Sequence, residues 1–272
     1  MVRSITKDTV LCVSLAGRPS NVGTRFHNFL YAELDLDFVY KAFTTTDLAA
    51  AIAGIRALGI RGCGVSMPYK EACIAHVDAL DASAAAIRSV NTIVNTDGQL
   101  RAYNTDYVAI AKLLADHQIP VDRTFAVLGS GGMAKAVVAA LRDAGLHAGV
   151  VVARNARTGA ALAGQYGYAW RAELGSSRPQ LLVNATPVGM SGGPAADALP
   201  VEPDVVDTAE TVFDVVALPA LTPLVRRARA QGKQVVTGAE VSTLQALEQF
   251  VLYTGVRPTD DQVRRAAEFS RA

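Results

Sequence analysis

Short runs of β-branched and aliphatic residues alternate with longer alanine- and leucine-rich segments over most of the chain. The short apolar runs predict strands, and the longer periodic segments predict helices. Strands are predicted at Val10–Leu15, Phe38–Phe43, Gly62–Met67, Val90–Asn95, Gln99–Tyr103, Thr124–Leu128, Gly149–Ala153, Leu181–Ala185, Val212–Val216 and Gln234–Thr237. Helices are predicted at Thr24–Leu34, Asp47–Leu58, Pro68–Val77, Asp106–His117, Met133–Ala144, Ala239–Leu252 and Thr259–Ser270. This alternation predicts an α/β layered architecture, and the glycine- and proline-rich segment Ser191–Ala209 predicts a surface loop.

Local signals support several of these boundaries. Asp47 is a typical N-cap, and Gly59 follows the end of the same predicted helix. Pro68 suits the first turn of a helix, where its missing N–H costs no hydrogen bond. The pair Asp97-Gly98 predicts a two-residue hairpin turn. The two C-terminal helices follow the last predicted strand, so we expect them to fold back onto the N-terminal part of the chain.

The composition indicates a globular chain. A length of 272 residues is long for one domain and comfortable for two. Half of the residues are hydrophobic and 19% are charged, which supplies enough apolar material for a large core. The net charge is +1 and no basic stripe is present, which argues against nucleic acid or an anionic membrane surface as a partner. No apolar stretch approaches the ~18 residues of a membrane span.

The N-terminal segment indicates where in the cell the protein is expected, and the cysteines indicate whether a metal site is expected. The segment Met1–Val10 contains charged residues and lacks the apolar core of a signal peptide, so a cytoplasmic location is expected. Cys12, Cys63 and Cys73 are odd in number, with no CxxC spacing and no nearby histidine cluster. We expect buried, reduced thiols and no metal site.

A glycine-rich turn follows the predicted strand Thr124–Leu128. Gly129, Gly131 and Gly132 allow a tight turn and a close approach of backbone N–H groups to a pyrophosphate. The next predicted helix adds unpaired N–H groups and the positive end of its dipole. A glycine turn alone is a weak motif, since it could be only a tight strand-to-helix connection. Its position in a βαβ unit of the expected length favours a Rossmann-type dinucleotide site.

The following strand indicates which dinucleotide fits. An NAD-binding unit usually carries Asp or Glu about 20 residues past the turn, where the carboxylate accepts from the ribose 2′-OH. Here Gly149–Ala153 is followed by Arg154 and Arg157, with no acidic residue at that point. Two solvated arginines are the alternative, but positive charge at a helix start is unfavourable against the helix dipole. Because two arginines can clamp a 2′-phosphate, NADP is the expected cofactor.

Five further polar motifs lie along the chain. They are Gly62 to Lys70 (GCGVSMPYK), Ser89 to Thr92 (SVNT), Tyr103 to Asp106 (YNTD), Asn184 to Met190 (NATPVGM) and Gly238 to Ala246 (GAEVSTLQA). Together with the glycine turn, this set in this order resembles the shikimate dehydrogenase family over essentially the whole chain. Each motif alone is common, whereas the combination is specific.

The resemblance implies a fold of two α/β domains around a cleft. An N-terminal substrate domain, residues 1–105 with 239–272, would bind a small molecule. A Rossmann-type domain, residues 106–238, would bind NADP(H). The implied activity interconverts shikimate and 3-dehydroshikimate, or a related hydroxylated cyclic carboxylic acid, by hydride transfer. A monomer or a homodimer is expected.

The resemblance also implies roles for individual residues. Lys70 and Asp106 match the family's catalytic pair, which would pass a proton to or from the substrate oxygen. Without the resemblance, both would be interpreted as surface charges. The residues expected to bind substrate are Asn21, Thr24, Ser66, Asn91 and Gln245. The residues expected to bind cofactor are Gly129, Ser130, Gly131, Gly132, Met133, Ala134, Arg154, Arg157, Thr186, Val188, Met190 and Gly238.

Three places depart from the family pattern. The N-terminal loop, Gly17–Asn28, is two residues shorter, and Asn21 and Gly23 stand where the family has two carboxylate-binding serines. Gly64 replaces an asparagine, and Ala217 replaces a tyrosine. Because these changes fall on substrate groups and spare the lysine–aspartate pair, we expect weakened or altered substrate recognition. A quinate-type dehydrogenase and a sensor that binds substrate and NADP(H) with little turnover are alternatives. Retention of the pair favours an enzyme.

Overall fold

Strands in the described part of the chain, residues 5–272, form two separate six-stranded sheets. The structure is a computed structural model, and Met1–Ser4, the start of the segment interpreted above as lacking a signal peptide, lie outside the described residues. The chain divides into two units. The first contains the residues up to Thr105 together with Thr243–Ala272, and the second is Asp106–Ser242.

The elements have the following bounds. The strands are β1 Val10–Leu15, β2 Phe38–Phe43, β3 Gly62–Val65, β4 Ala79–Leu80, β5 Thr92–Thr96, β6 Gln99–Tyr103, β7 Phe125–Leu128, β8 Gly149–Val152, β9 Ala169–Arg171, β10 Leu181–Asn184, β11 Thr211–Asp214 and β12 Gln234–Thr237. The helices are α1 Asn21–Glu33, α2 Leu48–Ala57, α3 Ala82–Ile87, α4 Thr105–Asp116, α5 Gly132–Asp143, α6 Ala156–Tyr166, α7 Pro203–Thr208, α8 Pro223–Ala230, α9 Gly238–Thr254 and α10 Asp260–Arg271. A short 3₁₀ helix covers Ala72–His76.

The sheet of the first unit is mixed, with the order β2-β1-β3-β5-β6-β4. β1 is parallel to β2 and β3, whereas β5 is antiparallel to β3 and β6. The hairpin between β5 and β6 turns at Asp97 and Gly98, both with positive φ, as predicted. Gly62 in β3 admits the ring of Tyr253 from α9, since a Cβ at Gly62 would lie 2.2 Å from that ring. The helix therefore packs directly on the strand.

The sheet of the second unit is entirely parallel, with the order β12-β11-β10-β7-β8-β9. Every residue of β7, β10 and β11 is buried, as expected for parallel strands covered on both faces. The chain runs outward from β7 to β8 and β9 on one side, and from β10 to β11 and β12 on the other. This is a doubly wound arrangement, and its switch point lies between β7 and β10. Ligands of such sheets bind at the carboxyl ends of the strands near that point.

Two expectations about helices are confirmed. Asp47 caps α2, because its side chain accepts from the backbone N of Ala50 at 2.9 Å. The C-terminal α10 packs on α1, where Arg265 pairs with Glu33 at 2.8 Å. The last two helices therefore return to the N-terminal part of the chain, although the first residues of α9 belong to the second unit.

Three expectations are wrong. The helix predicted at Pro68–Val77 is replaced by turns and the 3₁₀ helix, because the Lys70 carbonyl accepts from Val90 N at 2.8 Å instead of continuing a helical ladder. The first helix begins at Asn21 and not at Thr24, so the segment expected to be a loop is largely helical. The segment Ser191–Ala209 is not loop throughout, since it contains α7 with a proline in its first turn. Elements whose bounds were not predicted are β4, α3, α6, β9 and α8.

The sequence also predicted the state of the cysteines and the apolar length of the helices. Cys12, Cys63 and Cys73 are buried free thiols, as predicted, and burial raises the pKa of each. Between residues 5 and 272, no helix combines the length and the apolar character needed to cross a bilayer.

Candidate functional site

Lys70 and Ser66 lie just beyond β3 in the first unit. Ser66 is exposed, and its backbone N donates to the Leu15 carbonyl at 2.9 Å, which holds it at the end of the strand. Lys70 is half-buried in the turn that follows, where the Cys73 thiol and Val90 N both donate to its carbonyl. Tertiary bonds therefore fix the backbone of Lys70 in place of a helix.

Asn91 and Gln245, two of the predicted substrate-binding residues, lie together. The Nδ2 atom of Asn91 is 3.5 Å from Oε1 of Gln245, and it also donates to Oγ1 of Thr105 at 2.9 Å. The Oδ1 atom of Asn91 accepts from Thr105 N at 2.8 Å and from Thr92 Oγ1 at 2.8 Å. Asn91 is buried, with 2% of its surface exposed, so these bonds are shielded from water.

Gln249 completes this cluster and was not predicted. Its Nε2 donates to the Asn91 carbonyl at 3.1 Å and to Thr92 Oγ1 at 3.0 Å. It lies four residues after Gln245, so both glutamines project from one face of α9. That spacing of two amides within a predicted helix was the available sequence signal.

Asn21 and Thr24 lie in the first turn of α1. Asn21 is exposed and Thr24 is half-buried, and Ser20 precedes them as an N-cap without a side-chain hydrogen bond. Gly23 lies between them, and a Cβ there would lie 3.9 Å from the Tyr40 ring, an ordinary contact distance. Both residues remain candidates for substrate contact.

Asp106 is the second residue of α4 and opens the second unit. It is buried, with 8% of its surface exposed. The first turn of a helix favours a carboxylate because of the helix dipole.

The glycine turn lies at the carboxyl end of β7. Gly129 has φ +110°, and a Cβ there would lie 2.9 Å from the Ala185 carbonyl oxygen, so both conformation and space require glycine. Nothing lies within 4 Å of a Cβ built at Gly131 or Gly132. Gly131 caps α5 without a side-chain bond, which leaves the first N–H groups of that helix open toward this space. The turn therefore has the room and the donors that a pyrophosphate requires.

Three other predicted cofactor residues belong to this turn and helix. Met133 is half-buried and Ala134 is fully buried in the first turn of α5. Oγ of Ser130 lies 2.8 Å from Oγ1 of Thr158, which ties the turn to the start of α6. This bond connects the glycine turn to the segment that carries the two arginines.

Arg154 and Arg157 flank the beginning of α6, at the carboxyl end of β8. Both are exposed, and within residues 5–272 neither side chain forms an ion pair or a hydrogen bond. Asn155 caps the helix by accepting from Thr158 N at 3.2 Å. No acidic residue follows β8 at the position where a ribose 2′-OH would be bound. These features fit the 2′-phosphate of NADP.

The segment after β10 folds around the side chain of Asn184. Its Oδ1 accepts from Thr186 Oγ1 at 2.6 Å, and its Nδ2 donates to the Val188 carbonyl at 3.1 Å and to Asp214 Oδ1 at 3.0 Å. Burial raises the pKa of Asp214, and its bonds to Thr222 and Asn184 oppose that shift. The Asn184 side chain thus hydrogen-bonds to both Thr186 and Val188, while 41% of the Met190 surface is exposed.

Gly238 begins α9 directly after β12. A Cβ there would lie 2.4 Å from the backbone of Val216, so no larger residue fits without movement. Thr237 and Glu240 cap the helix reciprocally: Thr237 N donates to the Glu240 carboxylate, and Glu240 N donates to Thr237 Oγ1. The predicted cofactor residues of the second unit therefore lie at the carboxyl ends of β7, β8, β10 and β12.

Comparison with known proteins identifies a family for this chain. A family model described as the shikimate dehydrogenase substrate binding domain matches residues 21–93. A shikimate dehydrogenase-like protein of Haemophilus influenzae is 54% identical over 267 residues, which cover 98% of each chain. The shikimate dehydrogenase (NADP(+)) of Moorella thermoacetica is 35% identical over 262 residues, which cover 89% of this chain and 88% of that one.

The chain belongs to the shikimate dehydrogenase family. The solved Thermus thermophilus shikimate 5-dehydrogenase, in complex with NADP(H) and shikimate, has a TM-score of 0.85 and 31% identity, covering 96% of this chain and 99% of that one. The family membership inferred from the motifs and the fold of two α/β domains are both confirmed.

Gly64 stands where the shikimate dehydrogenase pattern has an asparagine. It pairs with Ser14 of β1, and a Cβ at Gly64 would lie 2.8 Å from Tyr40 Oη and 3.3 Å from Ser14 Cβ. Gln249 Nε2 would lie 3.7 Å away. The Tyr40 hydroxyl therefore occupies the space that an asparagine at position 64 would need.

Proposed function

We propose that this chain is an NADP-dependent oxidoreductase that interconverts shikimate and 3-dehydroshikimate or a closely related hydroxylated cyclic carboxylic acid. In this proposal, residues 1–105 with 239–272 bind the substrate, and residues 106–238 bind NADP(H). The family model for substrate binding, which matches residues 21–93, supports the first assignment. The parallel sheet and its glycine turn support the second.

The observation that carries the cofactor assignment is the pair of exposed arginines beside the open glycine turn. Arg154 and Arg157 have no acidic partner among the described residues, and Gly131 and Gly132 leave space for phosphate oxygens. A clamp of two guanidinium groups binds a phosphate by charge-assisted hydrogen bonds. The Moorella relative is named for NADP(+), which agrees with this assignment.

When bound, the nicotinamide accepts or donates the hydride. The chain itself must handle the proton at the substrate oxygen, and we assign this to Lys70 with Asp106. The lysine ammonium stabilises negative charge that develops on that oxygen and can donate a proton to it. In the reverse direction the neutral amine accepts the proton. We assign to the carboxylate of Asp106 a role in orienting the substrate hydroxyl.

Substrate hydroxyls are assigned to the amide cluster and to Ser66. Gln245 lies beside the buried Asn91 amide, with Oε1 3.5 Å from Asn91 Nδ2, and a hydroxyl on the substrate can both donate to and accept from a side-chain amide. The two serines that bind the substrate carboxylate in the family are missing from this chain, because Asn21 and Gly23 stand at their positions. We therefore infer weakened or altered recognition of the carboxylate, with Asn21 and Thr24 as the nearest replacements.

A screen of cyclic hydroxy acids tests the proposal. Shikimate, quinate and related acids are each mixed with NADP or NAD, and absorbance of the reduced cofactor is followed. We expect reduction with NADP and at least one acid, with a shikimate kcat/KM well below about 10⁶ M⁻¹s⁻¹ because carboxylate contacts are missing. The Asp106→Asn variant is the control for contaminating dehydrogenases. If the chain binds NADP tightly but no acid reduces the cofactor, the result would contradict the proposal that the chain is an enzyme and favour the sensor alternative.

A further inference from the structure

The carboxyl group of Asp214 joins the segments that follow β10 and β11. Asp214 is the last residue of β11, lies beside Asn184 of β10 in the parallel sheet, and has none of its surface exposed. Its Oδ1 accepts from Asn184 Nδ2 at 3.0 Å and from Val216 N at 3.1 Å. Its Oδ2 accepts from Thr222 Oγ1 at 2.6 Å. One buried side chain therefore binds the end of β10 on one side and two points of the segment between β11 and α8 on the other.

Asn184 extends this network into the loop after β10. Its Nδ2 donates to Asp214 Oδ1 and, at 3.1 Å, to the Val188 carbonyl. Its Oδ1 accepts from Thr186 N at 3.1 Å and from Thr186 Oγ1 at 2.6 Å. Thr186 Oγ1 in turn accepts from Val188 N at 3.2 Å. The conformation of residues 186–188 thus depends on an amide that hydrogen-bonds to Asp214.

The same two segments carry exposed apolar side chains. Ser191 N donates to the Leu218 carbonyl at 2.9 Å, which brings the two segments together a second time. The exposed surface is 41% for Met190, 46% for Leu218 and 45% for Leu221. Apolar groups at the carboxyl ends of parallel strands, where ligands bind, are suited to contact a planar ring.

The order of the strands indicates which part of NADP(H) these segments would meet. In the proposed function, the glycine turn after β7 binds the pyrophosphate, and Arg154 and Arg157 after β8 bind the 2′-phosphate of the adenosine half. β8 lies on one side of β7, whereas β10 and β11 lie on the other. A dinucleotide spans the crevice at the switch point of such a sheet. The nicotinamide half therefore extends toward the segments after β10 and β11.

We propose that Asp214 is a positioning residue for the nicotinamide half of NADP(H). It acts through Asn184 on residues 186–188, and through Val216 and Thr222 on the segment after β11. Without the carboxyl group, three donors of the network lose their acceptor, and both segments must shift to satisfy them. The inference rests on the proposed function, because it requires that this chain binds NADP(H).

Binding of a whole and a partial cofactor tests the proposal without turnover. Adenosine 2′,5′-bisphosphate carries the adenosine and 2′-phosphate of NADP but no nicotinamide. In Asp214→Ala we expect the Kd of NADP to rise about tenfold, while the Kd of the bisphosphate stays within about twofold of wild type. Asp214→Asn keeps one acceptor oxygen and should lie between wild type and Asp214→Ala. Equal weakening of both ligands in Asp214→Ala, or an unchanged Kd of NADP, would overturn the proposal.

Thr211→Val is the matched control for stability. Thr211 is buried at the opposite end of β11 from Asp214, and its Oγ1 donates to Gln234 Oε1 at 2.9 Å. The variant should lower thermal stability while the Kd of both ligands stays within about twofold of wild type. A selective loss of NADP affinity in Thr211→Val would show that lower stability alone explains the effect, and would overturn the proposal.

A second variant serves if Asp214→Ala does not fold. Thr222→Val removes one donor to the carboxyl group, so we expect the same selective loss of NADP affinity at about threefold, with Thr222→Ser close to wild type. Equal Kd values of NADP in Thr222→Val and Thr222→Ser would overturn the proposal.

The fluorescence of the reduced nicotinamide reports on the ring itself. At saturating NADPH, wild type should change this emission, and Asp214→Ala should lose most of that change although the adenosine half stays bound. The same emission change in both proteins would overturn the proposal. Wild type that binds neither NADP nor the bisphosphate would overturn the proposed function and, with it, this inference. In a wild type that binds both but oxidises no acid, only the enzymatic proposal fails, and a selective loss in Asp214→Ala would still support the positioning role.

Discussion

The imidazole ring of His27 stacks on the ring of Tyr40, with centroids 4.4 Å apart and planes inclined by 9°. His27 is completely buried in α1, and the rings of Tyr31, Tyr253 and Phe250 also lie within about 6 Å. Within the described residues neither ring nitrogen forms a well-aligned hydrogen bond. Burial lowers the pKa of His27 to about 3, against a smaller opposing effect of Gln249.

This pKa predicts a loss of stability in mild acid. Between about pH 6.5 and about pH 3 the unfolded chain binds a proton at His27 that the folded chain does not bind, so the free energy of unfolding falls as pH falls. The slope from one such group is about 1.4 kcal/mol per pH unit, or about 2 kcal/mol between pH 6.5 and pH 5. Urea unfolding at pH 7 and pH 5 measures it.

His27→Phe keeps an aromatic ring in the stack and removes the titration. Its free energy of unfolding should change between pH 7 and pH 5 by about 2 kcal/mol less than that of wild type. Phe26→Leu, in the same core, is the control, since it lowers stability without changing the pH dependence. The assignment fails if His27→Phe and wild type lose the same free energy over this interval.

The contact between position 64 and Tyr40 predicts how a family-like side chain is tolerated. Gly64→Asn forces an atom to within 2.8 Å of Tyr40 Oη, so we expect a loss of about 1–3 kcal/mol in the free energy of unfolding. Combining it with Tyr40→Phe removes the crowded hydroxyl and should restore part of that loss. Equal losses in the Gly64→Asn single variant and the double variant would show that Tyr40 Oη is not the obstacle.

Arg154 and Arg157 predict cofactor preference. Replacing both by alanine should weaken NADP binding by ~10²-fold or more, because charge-assisted hydrogen bonds to a phosphate are lost. Binding of NAD should barely change, since it lacks the 2′-phosphate. Arg226→Ala with Arg229→Ala is a matched control: these exposed arginines of α8 have the same spacing. Titration of wild type with both cofactors is decisive for the clamp, and equal affinities would contradict it.

Much of the fold was predictable because apolar runs and turn residues act locally. β1, β2, β6 and β12 have the predicted bounds, and the Asp97-Gly98 turn is where the dipeptide indicated. The helix expected from Pro68 failed because the Lys70 carbonyl bonds to Val90, a residue whose proximity no local pattern reveals. Short elements such as β4, with two residues, carry too little periodicity to be recognised.

The candidate site was predictable only as a set of residue types. The family motifs indicated Asn91 and Gln245, and the structure brings these two together. Thr105 and Gln249 were not singled out, because their importance depends on how β5, α4 and α9 meet. Gln249 left a weak signal in its spacing from Gln245, whereas the bonds of Thr105 to Asn91 join residues 14 positions apart and exist only in three dimensions.

The rate of NADP reduction by Lys70→Ala tests the central claim most directly. With the hydroxy acid that wild type oxidises best, turnover should fall by about 10²–10⁴-fold, because proton transfer to and from the substrate oxygen loses its donor and acceptor. NADP affinity, measured in the same preparation, should stay within about twofold of wild type. Near-normal turnover in Lys70→Ala would contradict the account of this chain as an oxidoreductase that uses Lys70.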